Sequence, residues 1–222
     1  MTGAVQPAMV LEGVAHQVSE AGHVKPTLAP LSHSFAPGRL HVVGGPSGAG
    51  KTTLLSILAL AVAPAQGEVW LGTRNLSRLT PAERQDWRRA QLGLIFQTVR
   101  LVSVMTVADH VALAAAIRRR DDAIADGQRL LASLGLGGKL SHRPDQLSGG
   151  EKQRVAIAQT LCACPAVLLA DEPTAALDHA NAQAVADTLR NYARSQGAVV
   201  ICVSHDRALL DHADELLMLE KA

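Results

Sequence analysis

A glycine-rich stretch in the first quarter of the chain carries the residue types that hold phosphate groups. It reads Gly45-Pro46-Ser47-Gly48-Ala49-Gly50-Lys51-Thr52, followed by Thr53, and it matches G-x-x-x-x-G-K-[ST] at every fixed position. Glycines let backbone N–H groups turn inward around an anion, and a following helix adds the positive end of its dipole. Lys51 is expected to reach the β- and γ-phosphates, and the Thr52 hydroxyl to ligate Mg²⁺. The sequence therefore predicts a nucleoside triphosphate site at residues 45–53.

A second glycine-containing motif, Leu147-Ser148-Gly149-Gly150-Glu151, lies in the second half of the chain. Ser148 and Glu151 have the S-x-x-E spacing of a capping box, and the two glycines leave the first turn of the helix bare. Such a helix start offers free backbone N–H groups and a positive dipole end to an anion. A capping box alone is a weak signal. This motif, placed before a second run of alternating strands and helices, is a strong one.

Other side chains of catalytic type stand at the ends of apolar runs or at helix starts. They are Gln97, the pair Asp171-Glu172, Asp178 in Ala176-Leu177-Asp178, and His205 in Val203-Ser204-His205-Asp206. With the phosphate loop and the LSGGE motif, these residues in this order resemble the nucleotide-binding domain of an ABC (ATP-binding cassette) protein, in which LSGGE is the family signature. The resemblance covers nearly the whole chain.

The resemblance implies a role for each of these residues in binding ATP and Mg²⁺ and in hydrolysis. Asp171 would hold Mg²⁺ beside Thr52, and Glu172 would be the general base for the attacking water. The amide of Gln97 would touch Mg²⁺ or that water. His205 would hydrogen-bond the γ-phosphate and orient the water.

In the family two such domains pair head to tail, so each ATP lies between one phosphate loop and the other domain's signature. The resemblance implies that Ser148, Gly149 and Gly150 act on ATP bound to a second copy of the chain, with Asp178 at the interface between the copies. An aromatic side chain usually stacks on adenine in this family, but no Phe, Tyr or Trp precedes Phe35. His16, or an aliphatic neighbour such as Val18, is the candidate that takes its place.

The elements that must position these residues are indicated by hydrophobic periodicity and by turn and capping signals. Strand-like runs occupy residues 40–43, 67–71, 92–96, 166–170, 198–203 and 215–219. Helical patterns cover residues 53–60, 80–89, 107–117, 123–134, 148–161 and 180–194. Strands that alternate with helices predict a parallel sheet covered on both faces, with ligands at the carboxyl ends of its strands.

Two segments depart from this alternation. Residues 1–44 predict an antiparallel or mixed β region, with turns at Pro26, Pro30 and Pro37. Residues 98–147 are rich in helix and predict an inserted subdomain. The predicted fold is therefore α/β: one ABC ATPase domain over residues 1–222, with a P-loop NTPase core at 1–97 and 148–222.

Composition narrows the class of protein. At 222 residues and 48% apolar residues, the chain can bury a substantial core. A net charge of +1 argues against a dedicated nucleic-acid binder. We expect neither a signal peptide nor a membrane span, because the longest apolar runs are too short or carry charge. Three cysteines give no disulfide framework, and the nine histidines have no metal-binding spacing, so a metal site made only of protein side chains is not expected.

These observations favour an ATP-hydrolysing transporter subunit, cytoplasmic and peripheral on the inner face of the cell membrane. Its predicted partners are a second copy of itself and integral membrane permease subunits, with no nucleic acid. The amino-acid sequence at residues 93–107 and 143–147 resembles that of the lipoprotein-release and macrolide-export group. The alternatives are an importer cassette, a soluble ABC ATPase that acts on nucleic acid or ribosomes, and a binding module without turnover. Residues 101–107 would line the groove for a permease helix.

Overall fold

The structure is a computed structural model that describes residues 7–20, 23–118 and 123–222. Residues 119–122, which fall inside the predicted helical subdomain, lie outside the described part. Nine strands form two sheets in that part, one antiparallel and one parallel. The predicted α/β class is confirmed.

The antiparallel sheet has the strand order β2-β1-β4-β5. Its strands are β1 (Met9–Glu20), β2 (His23–Phe35), β4 (Gln66–Leu71) and β5 (Arg74–Asn75). The turns predicted at Pro26 and Pro30 are wrong, because both prolines lie within β2. An edge strand tolerates proline, since its outward-facing positions need no N–H for the ladder. Pro37, by contrast, lies in the turn that follows β2.

The parallel sheet has the strand order β6-β7-β8-β3-β9. Its strands are β3 (Arg39–Gly44), β6 (Leu92–Ile95), β7 (Val167–Asp171), β8 (Val199–Val203) and β9 (Glu215–Met218). All four neighbouring pairs are parallel. Because parallel strands end at the same edge, the segments after β3, β6, β7 and β8 converge there. Those segments carry the phosphate loop, Gln97, Glu172 and His205.

The helices connect and cover the strands. They are α1 (Lys51–Leu58), α2 (Pro81–Gln91), α3 (Val107–Ile117), α4 (Ala123–Ser133), α5 (Gly149–Cys162), α6 (His179–Gln196) and α7 (Arg207–His212). Three of them, α2, α3 and α5, begin with a capping box, formed around Thr80, Thr106 and Ser148. The helix predicted at residues 80–89 begins within one residue of α2, but the sequence did not predict α7 or β5.

Alternate residues of the parallel strands enter two hydrophobic cores. Leu168 and Ala170 of β7 face a core shared with α3, α4, α5 and α6. Val167 and Leu169 face a core shared with α1 and the antiparallel sheet. Strands buried on both faces read as continuous apolar runs, which is why they are visible in the sequence. The helix that follows the phosphate loop is therefore packed between the two sheets.

Candidate functional site: a phosphate loop and a carboxylate at the edge of the parallel sheet

The phosphate loop joins β3 to α1 and is closed by the side chain of Lys51. Its Nζ donates to the carbonyl oxygens of Gly45 and Pro46, at 2.8 and 2.9 Å. An ammonium group has three N–H donors, so one remains beyond these two bonds. Helix α1 begins at Lys51 with no side-chain cap and no acidic residue in its first turn. Its first N–H groups and its positive dipole end are therefore available to an anion.

The backbone of the loop requires glycine for two different reasons. Gly48 and Gly50 have φ of +81° and +88°, in the region that L-residues rarely adopt. A Cβ at Gly48 would meet nothing within 4 Å, whereas a Cβ at Gly50 would lie 2.3 Å from the carbonyl oxygen of Thr27 on β2. The loop is thus held closely against the antiparallel sheet at Gly50.

This difference predicts unequal costs for two matched alanine substitutions. Gly48→Ala is expected to cost about 1–2 kcal/mol of unfolding free energy, because only backbone strain is added. Gly50→Ala is expected to cost about 1–3 kcal/mol more, because the new methyl group also displaces the Thr27 backbone. Urea denaturation of both variants without nucleotide measures the difference. Equal midpoints would contradict the close approach of the loop to β2.

Two carboxylates follow β7, and they have different surroundings. Asp171 is the last residue of the strand and Glu172 the first after it. Burial raises the pKa of Asp171, and the neighbouring Glu172 raises it further, while Lys51 of the phosphate loop opposes this shift. Lys51 of the phosphate loop thus lies close enough to Asp171 to act on its carboxylate.

The two carboxylate oxygens of Glu172 are each held by a neighbouring side chain. Ser204 Oγ donates to its Oε2 at 2.9 Å, and His205 Nδ1 lies 2.7 Å from its Oε1. The Glu172 side chain is 13% exposed and that of His205 is 87% exposed. The backbone of Glu172 has φ +44°, and its N–H donates to the Val203 carbonyl oxygen at the end of β8. A non-glycine residue held in this region marks a position that the surrounding contacts over-determine.

Gln97 and Asp171 line one cavity of about 550 Å³ together with Phe96, Thr98 and Arg100. The predicted metal residues offer a hydroxyl from Thr52, an amide oxygen from Gln97 and a carboxylate from Asp171, which are hard oxygen ligands of the kind Mg²⁺ prefers. Burial and, to a smaller extent, the neighbouring Glu172 raise the pKa of Asp171, and a bound divalent cation would favour its ionised form. The chemistry of this donor set therefore fits a divalent cation such as Mg²⁺.

The LSGGE motif begins α5 as its spacing predicts. The Glu151 N–H donates to Ser148 Oγ at 3.3 Å, and the Ser148 N–H donates to Glu151 Oε2 at 2.8 Å. Lys139 pairs with the same carboxylate, and its hydrogen bond, followed by that of the Ser148 N–H, lowers the pKa of Glu151 to about 2. Ser148 and Gly149 are exposed. The first turn of α5 therefore faces outward with its capping box intact.

Asp178 is in contact with its own helix. Its carboxylate accepts from the Asn181 N–H at 2.9 Å and from Asn181 Nδ2 at 2.7 Å, which caps α6. The start of α5 lies against the segment before this cap, because a Cβ at Gly150 would come within 3.1 Å of Leu177 and Ala176. The signature and the Asp178 segment thus form one surface.

His16 lies on β1 and is only partly buried. Its Nδ1 is 2.7 Å from Thr27 Oγ1, and it lines a cavity of about 230 Å³ that also includes Leu28. A Cβ at Gly50 would touch both Thr27 and Leu28. The structure therefore brings β2, the strand to which His16 is hydrogen-bonded through Thr27, to the phosphate loop, while the role of His16 toward adenine stays a prediction.

Two side chains that support the site were not predicted from the sequence. Ser204 is 1% exposed, donates to Glu172 and accepts from the Asp206 N–H at 3.1 Å. Gln153, 2% exposed, donates to the Phe96 carbonyl oxygen at 3.4 Å and so links α5 to the segment of Gln97. Only Ser204 had a sequence signal, because it directly precedes His205 at a strand end.

Comparisons with known proteins agree with this geometry. The family model described as ABC transporter matches residues 28–175. The lipoprotein-releasing system ATP-binding protein LolD of Myxococcus xanthus is 43% identical over 184 residues, which are 82% of this chain and 82% of that protein. The macrolide export ATP-binding/permease protein MacB of Rhodopirellula baltica is 36% identical over 214 residues, 95% of this chain but 31% of that protein.

Solved structures show the same fold. The dimeric structure of MJ0796, a bacterial ABC transporter cassette, has a TM-score of 0.84 at 27% identity and covers 96% of this chain and 94% of its own. A dimeric post-hydrolysis state of that cassette, bound to ADP and Pi, has a TM-score of 0.83 at 27% identity, with 96% of both chains covered.

Proposed function

This chain belongs to the ABC transporter family, and from that membership we propose that it is the ATP-hydrolysing subunit of a transporter whose membrane-spanning part is a separate protein. The resemblance inferred from the motifs and the ABC ATPase fold are both confirmed by the matched family and by the solved cassettes.

The observation that carries the proposal is the support of the Glu172 carboxylate by Ser204 and His205 beside Asp171. In the proposed reaction, a water oxygen attacks the γ-phosphorus of ATP while Glu172 accepts a proton from that water. The bond from the γ-phosphorus to the β-phosphate oxygen breaks, which leaves ADP and inorganic phosphate. Because a general base must lie within reach of one water, its fixed position matters as much as its pKa.

The phosphate loop binds and orients the triphosphate. The free N–H of the Lys51 ammonium group and the N–H groups at the start of α1 converge on the loop, which suits the β- and γ-phosphates. Thr52, Gln97 and Asp171 would hold Mg²⁺. When bound, this ion would neutralise phosphate charge and draw electron density from the γ-phosphorus.

The signature motif is proposed to complete the site of a second copy of the chain. Ser148 uses a lone pair to cap α5, so its hydroxyl proton stays free to donate to a phosphate oxygen. Ser148 and Gly149 are exposed at the start of α5, whereas Lys51 and Glu172 lie at the carboxyl ends of the parallel strands. Two copies placed head to tail would enclose two ATP molecules, with Asp178 at the interface.

The cargo class follows from the named relatives. Because LolD-type and MacB-type proteins are among them, we propose that this subunit drives lipoprotein release or export across a bacterial-type envelope. No helix in the described residues is both long and apolar enough to cross a bilayer. With a permease as the proposed partner, the proposed location is the inner face of the membrane.

An apolar surface beside Gln97 supports permease docking. Phe96, Val102 and Val104 are 62%, 47% and 73% exposed, while Leu101 and Val107 of the same segment pack into the core. The buried side chain of His110 supports this segment with two contacts. Its Nε2 accepts from the Val102 N–H at 3.0 Å, and its Nδ1 lies 2.7 Å from the Thr106 carbonyl oxygen.

Val104→Asp tests this docking surface. The charge is expected to reduce recovery of a membrane protein with the tagged chain, after gentle extraction of native membranes, by about tenfold or more, since a buried unpaired carboxylate is costly. Val24→Asp is the matched control, because Val24 is also exposed, at 61%, but lies on β2 of the antiparallel sheet and not in this apolar surface.

The two variants must first show the same folded circular dichroism spectrum. Equal recovery with both would contradict the docking surface. Recovery of ribosomes or nucleic acid, rather than a membrane protein, by the unmodified chain would overturn the transport proposal itself.

A further inference from the structure

Two histidines and a glutamate meet at a place the ATP site does not use. They are His33 on β2, His41 on β3 and Glu215 on β9, and their ligating atoms all lie within 4.8 Å of one another. The parallel register pairs His41 with Glu215 directly. The cluster therefore joins the antiparallel sheet to two neighbouring strands of the parallel sheet.

The buried ring of His41 has one nitrogen that is already committed. His41 is 1% exposed, and its Nε2 lies 2.9 Å from the Ala36 carbonyl oxygen, which can only accept, so Nε2 carries the proton. Nδ1 then carries the lone pair in the neutral ring. A backbone carbonyl that fixes the tautomer in this way is the usual outer partner of a metal-binding histidine.

The lone pair of His41 faces another acceptor. Its Nδ1 has no hydrogen-bond partner in the described residues and lies 3.2 Å from Glu215 Oε2. The other oxygen of that carboxylate, Oε1, pairs with Arg39. Two acceptor atoms this close repel each other unless a positive charge lies between them. That charge is either a proton on His41 or a metal ion.

His33 favours the metal ion. Its ring packs edge-on against Phe35, with centroids 4.6 Å apart, and Phe35 in turn packs edge-on against His41 at 5.3 Å. One ring nitrogen of His33 lies within 4.8 Å of the ligating atoms of both His41 and Glu215. A neutral imidazole has a free lone pair for a metal, and the partial exposure of His33 leaves an entry path.

We propose that His33, His41 and Glu215 bind a divalent transition-metal ion of the zinc class. Two imidazole nitrogens and one carboxylate oxygen are typical ligands of Zn²⁺, and water would supply the fourth position. His41 stands four residues before Gly45, which puts it about 13 Å from the start of the phosphate loop. The ion therefore acts as a clamp between the two sheets and takes no part in hydrolysis.

The spacing of these residues hides the cluster in the sequence. His33 and His41 lie on strands of different sheets, and Glu215 belongs to the last strand of the chain. None of the local metal-binding patterns spans such distances. Only the approach of β2, β3 and β9 brings the ligands together, contrary to the expectation that protein side chains alone make no metal site.

The test uses the full chain, stripped with chelator and free of nucleotide and Mg²⁺. We expect one Co²⁺ per chain, detected by its d–d absorption, and displacement of Co²⁺ by Zn²⁺. Zn²⁺ is expected to raise the melting temperature, because it binds the folded state. His33→Ala and Glu215→Gln are each expected to weaken binding about 100-fold or more and to remove the thermal shift.

Two further histidine variants locate the ion. His142→Ala removes a histidine outside the cluster, and His205→Ala removes the imidazole beside Glu172, so both are expected to bind Co²⁺ like the unmodified chain. Failure of the unmodified chain to bind Co²⁺ would overturn the proposal and leave His41 as a protonated partner of Glu215. Unchanged affinity in folded His33→Ala, or lost affinity in His205→Ala alone, would overturn it as well.

Discussion

Glu172→Gln is expected to abolish ATP turnover while ATP stays bound. The amide has nearly the shape of the carboxylate and can still accept a hydrogen bond from Ser204, but it cannot take a proton from water. Loss of a positioned general base lowers the rate by roughly 10²–10⁴-fold. If two copies enclose ATP, the variant is also expected to accumulate as an ATP-bound dimer, since the step that opens it is blocked.

Phosphate release and size-exclusion chromatography with ATP measure these two effects. Glu220→Gln is the matched control, because it makes the same chemical change at an exposed glutamate near the chain's end, and it is expected to hydrolyse ATP normally. Turnover by Glu172→Gln within a factor of a few of the unmodified rate would show that another group activates the water.

Ser148→Arg is expected to separate ATP binding from dimer formation. A bulky cation at the exposed start of α5 would clash with a second copy and would oppose the positive helix dipole. The phosphate loop on the same chain is untouched, so the affinity of the monomer for ATP is expected to stay within about twofold. In the Glu172→Gln background, the ATP-bound dimer is expected to be lost.

The matched control is Ser141→Arg in the same background, which places an arginine at another exposed serine. It is expected to keep the dimer. Equilibrium binding of a fluorescent ATP analogue and light scattering give the two readouts. A monomer that loses ATP affinity through Ser148→Arg would show that the signature contacts nucleotide on its own chain, contrary to the head-to-tail arrangement.

Local signals account for the parts of the fold that were predicted well. The strands of the parallel sheet are buried on both faces, so their apolar runs stand out, and the capping boxes at Thr80 and Ser148 define helix starts within one residue. The hairpin of β1 and β2 was less visible. Its alternation is interrupted by register shifts in the pairing, and Pro26 and Pro30 give turn signals that the edge position overrides.

The candidate site shows the same division between local and long-range information. The motifs name Lys51, Asp171 and Glu172, because each stands in a short pattern with its own chemistry. The support of Glu172 by Ser204 depends on β7 and β8 being neighbours, and its φ of +44° depends on contacts made by both strands. No local sequence pattern encodes this hydrogen bond or this backbone conformation. For the same reason, the cluster around His41 could not be predicted from the sequence.

The cap of α6 by Asp178 offers a way to monitor the conformation of the ATPase in solution. Both carboxylate oxygens are engaged by Asn181, so a contact that draws Asp178 toward another molecule must release the first turn of an 18-residue helix. Such a cap contributes about 1 kcal/mol, a cost small enough to be reversed in each cycle. The Asn181 amide resonance in an NMR spectrum is thus expected to shift if Asp178 leaves its cap when the dimer closes.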